Sequence, residues 1–314
     1  MIKTAPEFLK DLLKKFPFEP TISQEIMLSK LVDFLFNKNN NGLFLLKGYA
    51  GTGKTTAVSS VVNNLWRAGK KAVLLAPTGR AAKVISVYSG RQAFTIHKKI
   101  YHPRKNKFGA LEFVRQPNKH TNTFFFVDEA SMIAEAQASS KLFDNGSLLD
   151  DLITFVYSGA NCKLILIGDT AQLPPVKLTI SPAMDVTNLK LKYKKDVTEI
   201  QLNEVMRQHE DSGILVNATK LRMAISNEDP DTFKFEIKYA DIVRLIDGYE
   251  IEDAIHTAYG DNGVEDTAFI VRSNKRANQY NNQIRIKIRG QENEISTGDY
   301  VMIVKNNYFW LHES

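Results

Sequence analysis

A glycine-rich segment that ends in lysine and threonine has the spacing of a phosphate-binding loop. Residues 48–55 read GYAGTGKT and lie between an apolar run at 43–47 and a helical stretch at 54–68. Glycines let backbone N–H groups turn towards phosphate oxygens, and a helix N-terminus adds a favourable dipole. Lys54 would neutralise the β- and γ-phosphates and Thr55 would bind Mg²⁺. The segment therefore predicts a nucleotide site.

Two adjacent carboxylates follow the apolar run at 124–127. Asp128 would hold Mg²⁺ through water, and Glu129 would polarise the attacking water. An acidic pair at the end of a strand can also cap an ordinary helix. The second acid favours hydrolysis over a simple switch or a small-molecule kinase.

A third apolar run, at 164–167, is followed by the sequence GDTAQLPPV. Strand ends gather at one edge of a parallel sheet, so Gln172 could reach the γ-phosphate or its water. Asp169 could as easily be a turn residue. Arg207 could stabilise charge on the transferring phosphate, with a surface salt bridge as the alternative.

Charge and aromatic placement indicate a nucleic-acid partner. The chain carries a net charge of +6, and basic residues cluster at 98–119, around Tyr101, Phe108 and Phe113, and again at 275–289. Basic residues bind phosphates and rings stack on bases, a combination that suits a single strand. The alternative interpretation is a solvated surface hairpin.

Strands alternating with helices predict an α/β fold, a parallel sheet flanked by helices. A helix at 23–36 is expected with Ser23 as its cap, and a basic hairpin is expected as an insertion at 98–122. The pattern restarts after residue 205, which predicts domains at 1–204 and 205–314. The second domain is expected to contain helices at 211–226, 251–259 and 274–286 and strands at 242–246 and 268–271.

Composition excludes several classes of protein. No apolar run approaches the roughly 20 residues that span a bilayer, so no membrane association is expected. The amphipathic pattern at 1–20 lacks the apolar core of a signal peptide. Cys162 is the only cysteine, which favours a reducing, cytoplasmic location and an inert buried thiol.

Taken together, these segments resemble the helicase motifs of superfamily 1B, close to the RecD-like and phage Dda-like helicases. The similarity runs over residues 21–314 in the family's order, and GDTAQLPPV is very specific to that group. It rests on segments 48–56, 76–83, 95–97, 127–132, 168–176 and 202–208. The resemblance implies a RecA-like P-loop NTPase domain, an inserted hairpin and part of a second RecA-like domain.

The resemblance also assigns site residues. ATP would be bound by a set that adds an adenine-reading glutamine to the loop: Gln24, Gly51, Thr52, Gly53, Lys54, Thr55 and Thr56. DNA would be gripped by Pro77, Thr78, His97, Ser273, Asn274 and Lys275. Phe108 or Phe113 would form the tip of a separation pin, with a buried hairpin residue as the alternative; His97 could equally be a structural histidine.

The implied activity is an ATP-dependent DNA helicase that moves 5′→3′ and acts on single-stranded DNA and single/double-strand junctions. ATP and Mg²⁺ are the implied cofactors, a monomer is favoured, and repair, recombination and mobile-element replication remain open. The alternative is a nucleic-acid-binding module that ATP switches without unwinding. The family's late motifs do not occur before Ser314, so we expect the sequence to be part of a longer protein.

Overall fold

The chain forms two compact units, Met1–Glu210 and Asp211–Ser314. The structure is a computed structural model that describes residues 2–105, 107, 111–134, 147–204, 212–227, 229–299 and 301. The predicted domains at 1–204 and 205–314 stay a prediction, and the two units are treated separately below.

The first unit alternates helices and strands. Its elements are α1 (Ala5–Lys14), α2 (Ile22–Phe36), β1 (Gly42–Gly48), α3 (Lys54–Asn64), β2 (Lys71–Ala76), α4 (Gly79–Ser89), β3 (Ala93–Thr95), α5 (Ile96–Ile100), β4 (Tyr101–Lys105), β5 (Leu111–Arg115), β6 (Thr123–Val127), α6 (Leu148–Ser158), β7 (Lys163–Gly168), α7 (Val186–Leu191) and β8 (Asp196–Leu202).

Six of these strands form one parallel sheet in the order β3-β2-β6-β7-β1-β8. The register pairs Leu45 with Leu166, and Phe125 with Leu164. Because all six strands run the same way, their carboxyl ends lie at one edge and their amino ends at the other. The predicted α/β fold with a parallel sheet is confirmed.

Both faces of the sheet are buried, which explains the continuous apolar runs of its inner strands. Successive side chains point to opposite faces of a strand. Phe126 and Ile165 belong to the core cluster shared with α1, α2 and α3. Phe125 faces the other way and makes an edge-to-face contact with Phe155 of α6, with ring centres 5.9 Å apart.

The start of α2 differs from the prediction. Thr21, not Ser23, caps the helix: its hydroxyl accepts from the backbone N–H of Gln24 at 3.3 Å. The side-chain amide oxygen of Gln24 accepts in return from the backbone N–H of Thr21 at 3.1 Å. This reciprocal capping box needs a glutamine or glutamate three residues after the cap, a requirement that Thr21 meets and Ser23 does not.

The inserted hairpin is confirmed. Strands β4 and β5 pair antiparallel, with Tyr101 opposite Arg115 at the base. A carboxylate of α6 binds both of these residues: Asp151, 1% exposed, accepts from the Tyr101 hydroxyl at 2.6 Å and from the Arg115 guanidinium at 2.8 Å. Burial and the bond to Asp151 raise the pKa of Tyr101. Asp151 therefore ties both strands of the hairpin to the core of the unit.

The second unit contains α8 (Gly213–Ser226), α9 (Gly248–Thr257), α10 (Gly263–Asp266) and α11 (Asn274–Gln283). Its three predicted helices are present with small differences in their bounds. The predicted strands at 242–246 and 268–271 are wrong, since neither segment pairs with a strand in the described part of this unit. Their apolar side chains are exposed, as at Val243 and Ile270. No described helix has the length and apolar character needed to cross a bilayer.

We expect Asp151→Ala to loosen the hairpin, because the buried Tyr101 hydroxyl and the partly exposed Arg115 guanidinium lose their shared acceptor. The free energy of local opening at β4 and β5 should fall by about 2–4 kcal/mol, and Tyr101→Phe should cost about 1 kcal/mol. Native-state hydrogen exchange of the amides in both strands measures this. Asp253→Ala, an exposed change in α9, is the control. Unchanged protection in Asp151→Ala would show that the hairpin does not depend on this carboxylate.

Candidate functional site

The segment between β1 and α3 has the shape of a phosphate-binding loop. Gly51 and Gly53 adopt left-handed backbone conformations with φ of +79° and +78°, which side chains other than glycine rarely tolerate. The Lys54 ammonium donates to the carbonyls of Gly48 at 2.6 Å and Tyr49 at 2.8 Å. The loop therefore holds the Lys54 ammonium at the place where phosphate oxygens would bind.

The buried side chain of Gln24 holds this loop through a hydrogen bond. Its side chain is 3% exposed, and its amide nitrogen donates to the Thr52 carbonyl at 3.0 Å. A Cβ at Gly53 would lie 2.4 Å from that nitrogen. Since both ends of the Gln24 amide bind within the chain, reading adenine would require it to exchange a bond. The adenine-reading role of Gln24 stays a prediction.

The N-terminus of α3 is available to an anion. Gly53 is the N-cap residue and makes no side-chain cap hydrogen bond to the first turn. Thr55 and Thr56 lie in the first turn and are half-buried. The backbone N–H groups at a helix start and the helix dipole together favour phosphate binding.

Asp128 and Glu129 lie at the end of β6, at the same edge of the sheet as the loop. Burial raises the pKa of Asp128, although the Glu129 backbone N–H and the charge of Lys54 oppose the shift. Burial and the neighbouring Asp128 charge raise the pKa of Glu129. Glu129 also has a φ of +54°, an uncommon conformation for a residue with a side chain. Such strain is concentrated at functional sites.

Gln172 joins this group from the loop after β7. Its side-chain amide acts on the Glu129 carboxylate to lower the pKa of that group, which favours the ionised form. Asp169 adds negative charge nearby, and its own carboxylate accepts from the Ala171 backbone N–H at 2.8 Å, as a turn residue does. The structure therefore brings Lys54, Asp128, Glu129 and Gln172 into one electrostatic cluster.

The oxygen donors in the cluster fit Mg²⁺. Mg²⁺ prefers hard oxygen ligands, keeps several waters and needs only one or two carboxylates beside the phosphates of a nucleotide. Thr55 supplies a hydroxyl in the first turn of α3, and Asp128 supplies a partly buried carboxylate. In the described part of the chain, no group of three or more His, Cys, Asp or Glu side chains forms a dedicated metal cage.

Three of the predicted DNA contacts lie beyond neighbouring strands at this edge. Pro77 and Thr78 follow β2, and the Thr78 hydroxyl caps α4 by accepting from the Ala81 N–H at 3.2 Å. His97 lies in α5, directly after β3, with its ring centre 5.8 Å from that of Tyr101. Burial lowers the pKa of His97, which favours the neutral imidazole.

The hairpin tip prediction is wrong for Phe113. It lies opposite Pro103 in the middle of β5 and is 7% exposed, so its ring has no free face for a base. The alternative of a buried hairpin residue is correct, because an apolar ring on a two-stranded hairpin is buried where a core is within reach. Phe108 and Arg207 lie outside the described residues.

The remaining predicted contacts belong to the second unit. Ser273, Asn274 and Lys275 are exposed at the start of α11, and the Ser273 hydroxyl accepts from the Arg276 N–H at 3.3 Å. They form a helix start with a basic residue, which is compatible with binding a phosphate.

Two residues that support the site are not predicted by the sequence motifs. Thr21 holds the carbonyl end of Gln24 and so acts on the loop indirectly. The capping-box spacing from Thr21 to Gln24 was the available signal. The buried Ser131 hydroxyl lies 3.5 Å from the Gln172 carbonyl oxygen. No pattern in the sequence predicted that contact, because it joins two strand ends that are distant along the chain.

The loop geometry yields a direct test. Gly53→Ala should weaken binding of a fluorescent ADP analogue about tenfold or more, because the added Cβ strains a left-handed residue and displaces the Gln24 amide. Equilibrium fluorescence titration measures the affinity. Gly248→Ala is the matched control, since a Cβ there has no neighbour within 4 Å and φ is not positive. Equal affinities for all three proteins would contradict this account.

Comparisons with known proteins agree with these motifs. Residues 35–235 match the AAA domain family AAA_30. The chain is 35% identical over 135 residues to the ATP-dependent RecD2 DNA helicase of Deinococcus radiodurans, covering 43% of this chain and 16% of that protein. It is 30% identical over 188 residues to the ATP-dependent DNA helicase dda of Enterobacteria phage T4, covering 59% and 38%.

Among solved structures, the Pif1 protein of Bacteroides sp. in complex with ADP-AlF4 is similar at 18% identity and a TM-score of 0.42, over 83% of this chain and 55% of that one. The chain spans well under half the length of either curated relative named above. The family match covers most of the chain and shows that this chain belongs to the AAA domain family AAA_30.

Proposed function

We propose that the chain is the ATP-hydrolysing motor part of a DNA helicase. The observation that carries this is the cluster of Lys54, Asp128, Glu129 and Gln172 beside the phosphate loop. A cation for phosphate, a carboxylate for a metal ion and a second carboxylate for water are the parts that phosphoryl transfer to water needs. The names of the RecD2 and dda relatives support DNA as the partner.

Lys54 would act first by exchanging partners. Its ammonium now binds two neutral carbonyls, Gly48 O and Tyr49 O. Phosphate oxygens carry charge and are stronger acceptors, so the ammonium would turn from the loop to the β- and γ-phosphates. The backbone N–H groups at the start of α3 would bind the same phosphates.

Thr55 and Asp128 would hold Mg²⁺. When bound, that ion supplies positive charge that stabilises the charge developing on the phosphates. Glu129 would accept a proton from the attacking water, and its raised pKa makes it a better base than an ordinary glutamate. Gln172 would position that carboxylate, and Arg207 would contact the γ-phosphate.

DNA binding would use the same edge of the sheet. Pro77, Thr78 and His97 would grip a single strand in the first unit, and residues 273–275 would do so in the second. The hairpin, tied to the core by Asp151, would stand at a single/double-strand junction. ATP would close the cleft between two RecA-like domains, with movement 5′→3′. The protein would act as a monomer in the cytoplasm. Its pathway would be DNA repair or recombination.

Lys54→Ala should abolish ATP turnover, with a loss of at least about 100-fold, because no other group in the loop can neutralise the phosphates. Binding of single-stranded DNA without nucleotide should persist. Release of phosphate, measured with and without single-stranded DNA, tests the first statement, and fluorescence anisotropy of labelled DNA tests the second. Lys30→Ala, an exposed change in α2, is the control.

A strand-displacement assay on a tailed duplex then separates a helicase from a switch. The helicase proposal expects unwinding that is lost in Lys54→Ala, in this chain or in a longer protein that contains it. DNA affinity that responds to ATP without unwinding in either protein would favour the non-unwinding module. Normal turnover by Lys54→Ala would reject the catalytic assignment altogether.

The rate of hydrolysis should fall on the acid side with a midpoint above the value of about 4.3 for a free glutamate. The raised pKa means that Glu129 takes up a proton, and is lost as a base, at a higher pH than usual. Gln172→Ala removes a bond that favours the carboxylate, so the acid limb should move to still higher pH. Because Asp128 and Glu129 interact, the apparent pKa of the acid limb describes the two carboxylates together and not Glu129 alone. A pH–rate profile beside that of Gln92→Ala checks this; a limb that stays in place or moves down would contradict it.

A further inference from the structure

A lysine-rich cavity lies at the amino edge of the parallel sheet, away from the phosphate loop. Its volume is about 550 Å³, and its lining includes the starts of three strands at Gly42, Lys163 and Asp196. The phosphate loop follows the other end of β1, and the seven residues of that strand span about 20 Å. The cavity is therefore a separate place on the same unit.

The cavity carries an excess of positive charge. It is lined by four lysines, Lys163, Lys190, Lys194 and Lys195, and by one carboxylate, Asp196. The Asp196 carboxylate accepts from the Asn39 amide at 2.8 Å. Across the residues described by the structure, none of these four lysines forms an ion pair. Four ammonium groups that share one cavity repel each other unless an anion enters.

Lys163 is the buried member of the group, with 1% of its surface exposed. Its ammonium donates to the carbonyls of Phe34, at 3.1 Å, and Asn37, at the end of α2. Burial and the nearby charge of Lys70 lower its pKa to about 8. The backbone carbonyls satisfy its hydrogen bonds but bring no net negative charge, so the local charge is uncompensated.

The aromatic rings beside the cavity are already covered by cations. The Lys195 ammonium lies 3.4 Å from the centre of the Tyr157 ring, and that of Lys163 lies 5.0 Å from the centre of the Phe34 ring. Binding of a single strand normally depends on open rings for base stacking. This cavity therefore favours a ligand that is recognised by its charge and not by its bases.

A second cavity, of about 640 Å³, continues this surface. It shares Asn37 and Lys163 with the first and is lined by three further lysines, Lys3, Lys38 and Lys70. The Lys70 ammonium again covers a ring, 4.8 Å from the centre of Phe36. Lys163 stands where the two cavities meet, so positive charge extends along the edge in both directions from it. Such a band suits a chain of anionic groups more than a single small ion.

We propose that the two cavities bind phosphate groups of one extended ligand, at a site distinct from the nucleotide site. The shared chemistry is a phosphate chain, which a nucleic-acid backbone or a free polyphosphate could supply. The first cavity would bind one phosphate through Lys190, Lys194 and Lys195, and the second would bind another through Lys38 and Lys70. This site does not depend on ATP hydrolysis or on the proposed helicase activity.

Inorganic tripolyphosphate is the first probe, titrated by calorimetry into the 314-residue chain without Mg²⁺. The unaltered chain should bind at two places, the phosphate loop and the lysine cavities. Lys54→Ala should still bind tripolyphosphate in the lysine cavities. The double variant Lys190→Gln with Lys194→Gln should still bind it at the phosphate loop, and its affinity at the cavities should be at least about tenfold weaker. Both of these lysines are exposed, so the double variant should fold, which its thermal melting curve verifies. Lys10→Gln, in α1, is the control.

A blunt DNA duplex is the second probe and identifies the source of the phosphates. If a nucleic-acid backbone is the ligand, the double variant should bind the duplex more weakly, and the slope of log affinity against log salt should fall by about 2. An unchanged slope together with lost tripolyphosphate binding identifies a free polyphosphate. If the double variant matches the Lys10→Gln control with both probes, the lysines are a solvated surface and the proposal is wrong.

Discussion

The contact between the Gln24 amide and the phosphate loop is the one on which the candidate site depends. Gln24 closes the capping box of α2 with its oxygen and holds the Thr52 carbonyl with its nitrogen. The start of α2 and the shape of the loop are therefore fixed by a single buried side chain. Only a residue without Cβ fits beside that amide, and the same residue must be left-handed. Gly53 meets both requirements, because glycine has no Cβ and tolerates a left-handed backbone.

The electrostatic balance of the site follows from that geometry. The fixed loop keeps Lys54 within reach of Asp128 and Glu129, whose pKa values burial raises. Buried carboxylates are costly unless a partner compensates them, and the lysine charge together with the Gln172 bond gives partial compensation. The Lys54 ammonium itself rests on neutral carbonyls. The resting site is thus preorganised for a more strongly charged acceptor, which a phosphate provides.

The sequence predicted the inner strands and the phosphate loop, because both have strong local signals. β1, β6 and β7 are buried on both faces and read as continuous apolar runs. The strand β8 was missed because it lies at the edge of the sheet and alternates polar with apolar residues, as at Glu199 and Ile200. The apolar run at 242–246 led to a wrong strand prediction, because a strand forms only where another strand is available to pair with it. The burial of Phe113 and the contact of Asp151 with the hairpin depend on tertiary packing, which no local pattern encodes.

The two edges of the sheet differ in charge for a physical reason. In this unit α3 begins at the carboxyl edge and α2 ends at the amino edge, so helix dipoles favour anions at the first and cations at the second. Lys163, which binds the last carbonyls of α2, is explained by that effect. Lys190 lies in the last turn of α7 and Lys194 follows its end, so the dipole of that shorter helix acts in the same sense. The helix dipoles favour cations at this edge but do not neutralise them, and an excess of four lysines over the single carboxylate of Asp196 in the first cavity is what a bound phosphate chain would explain.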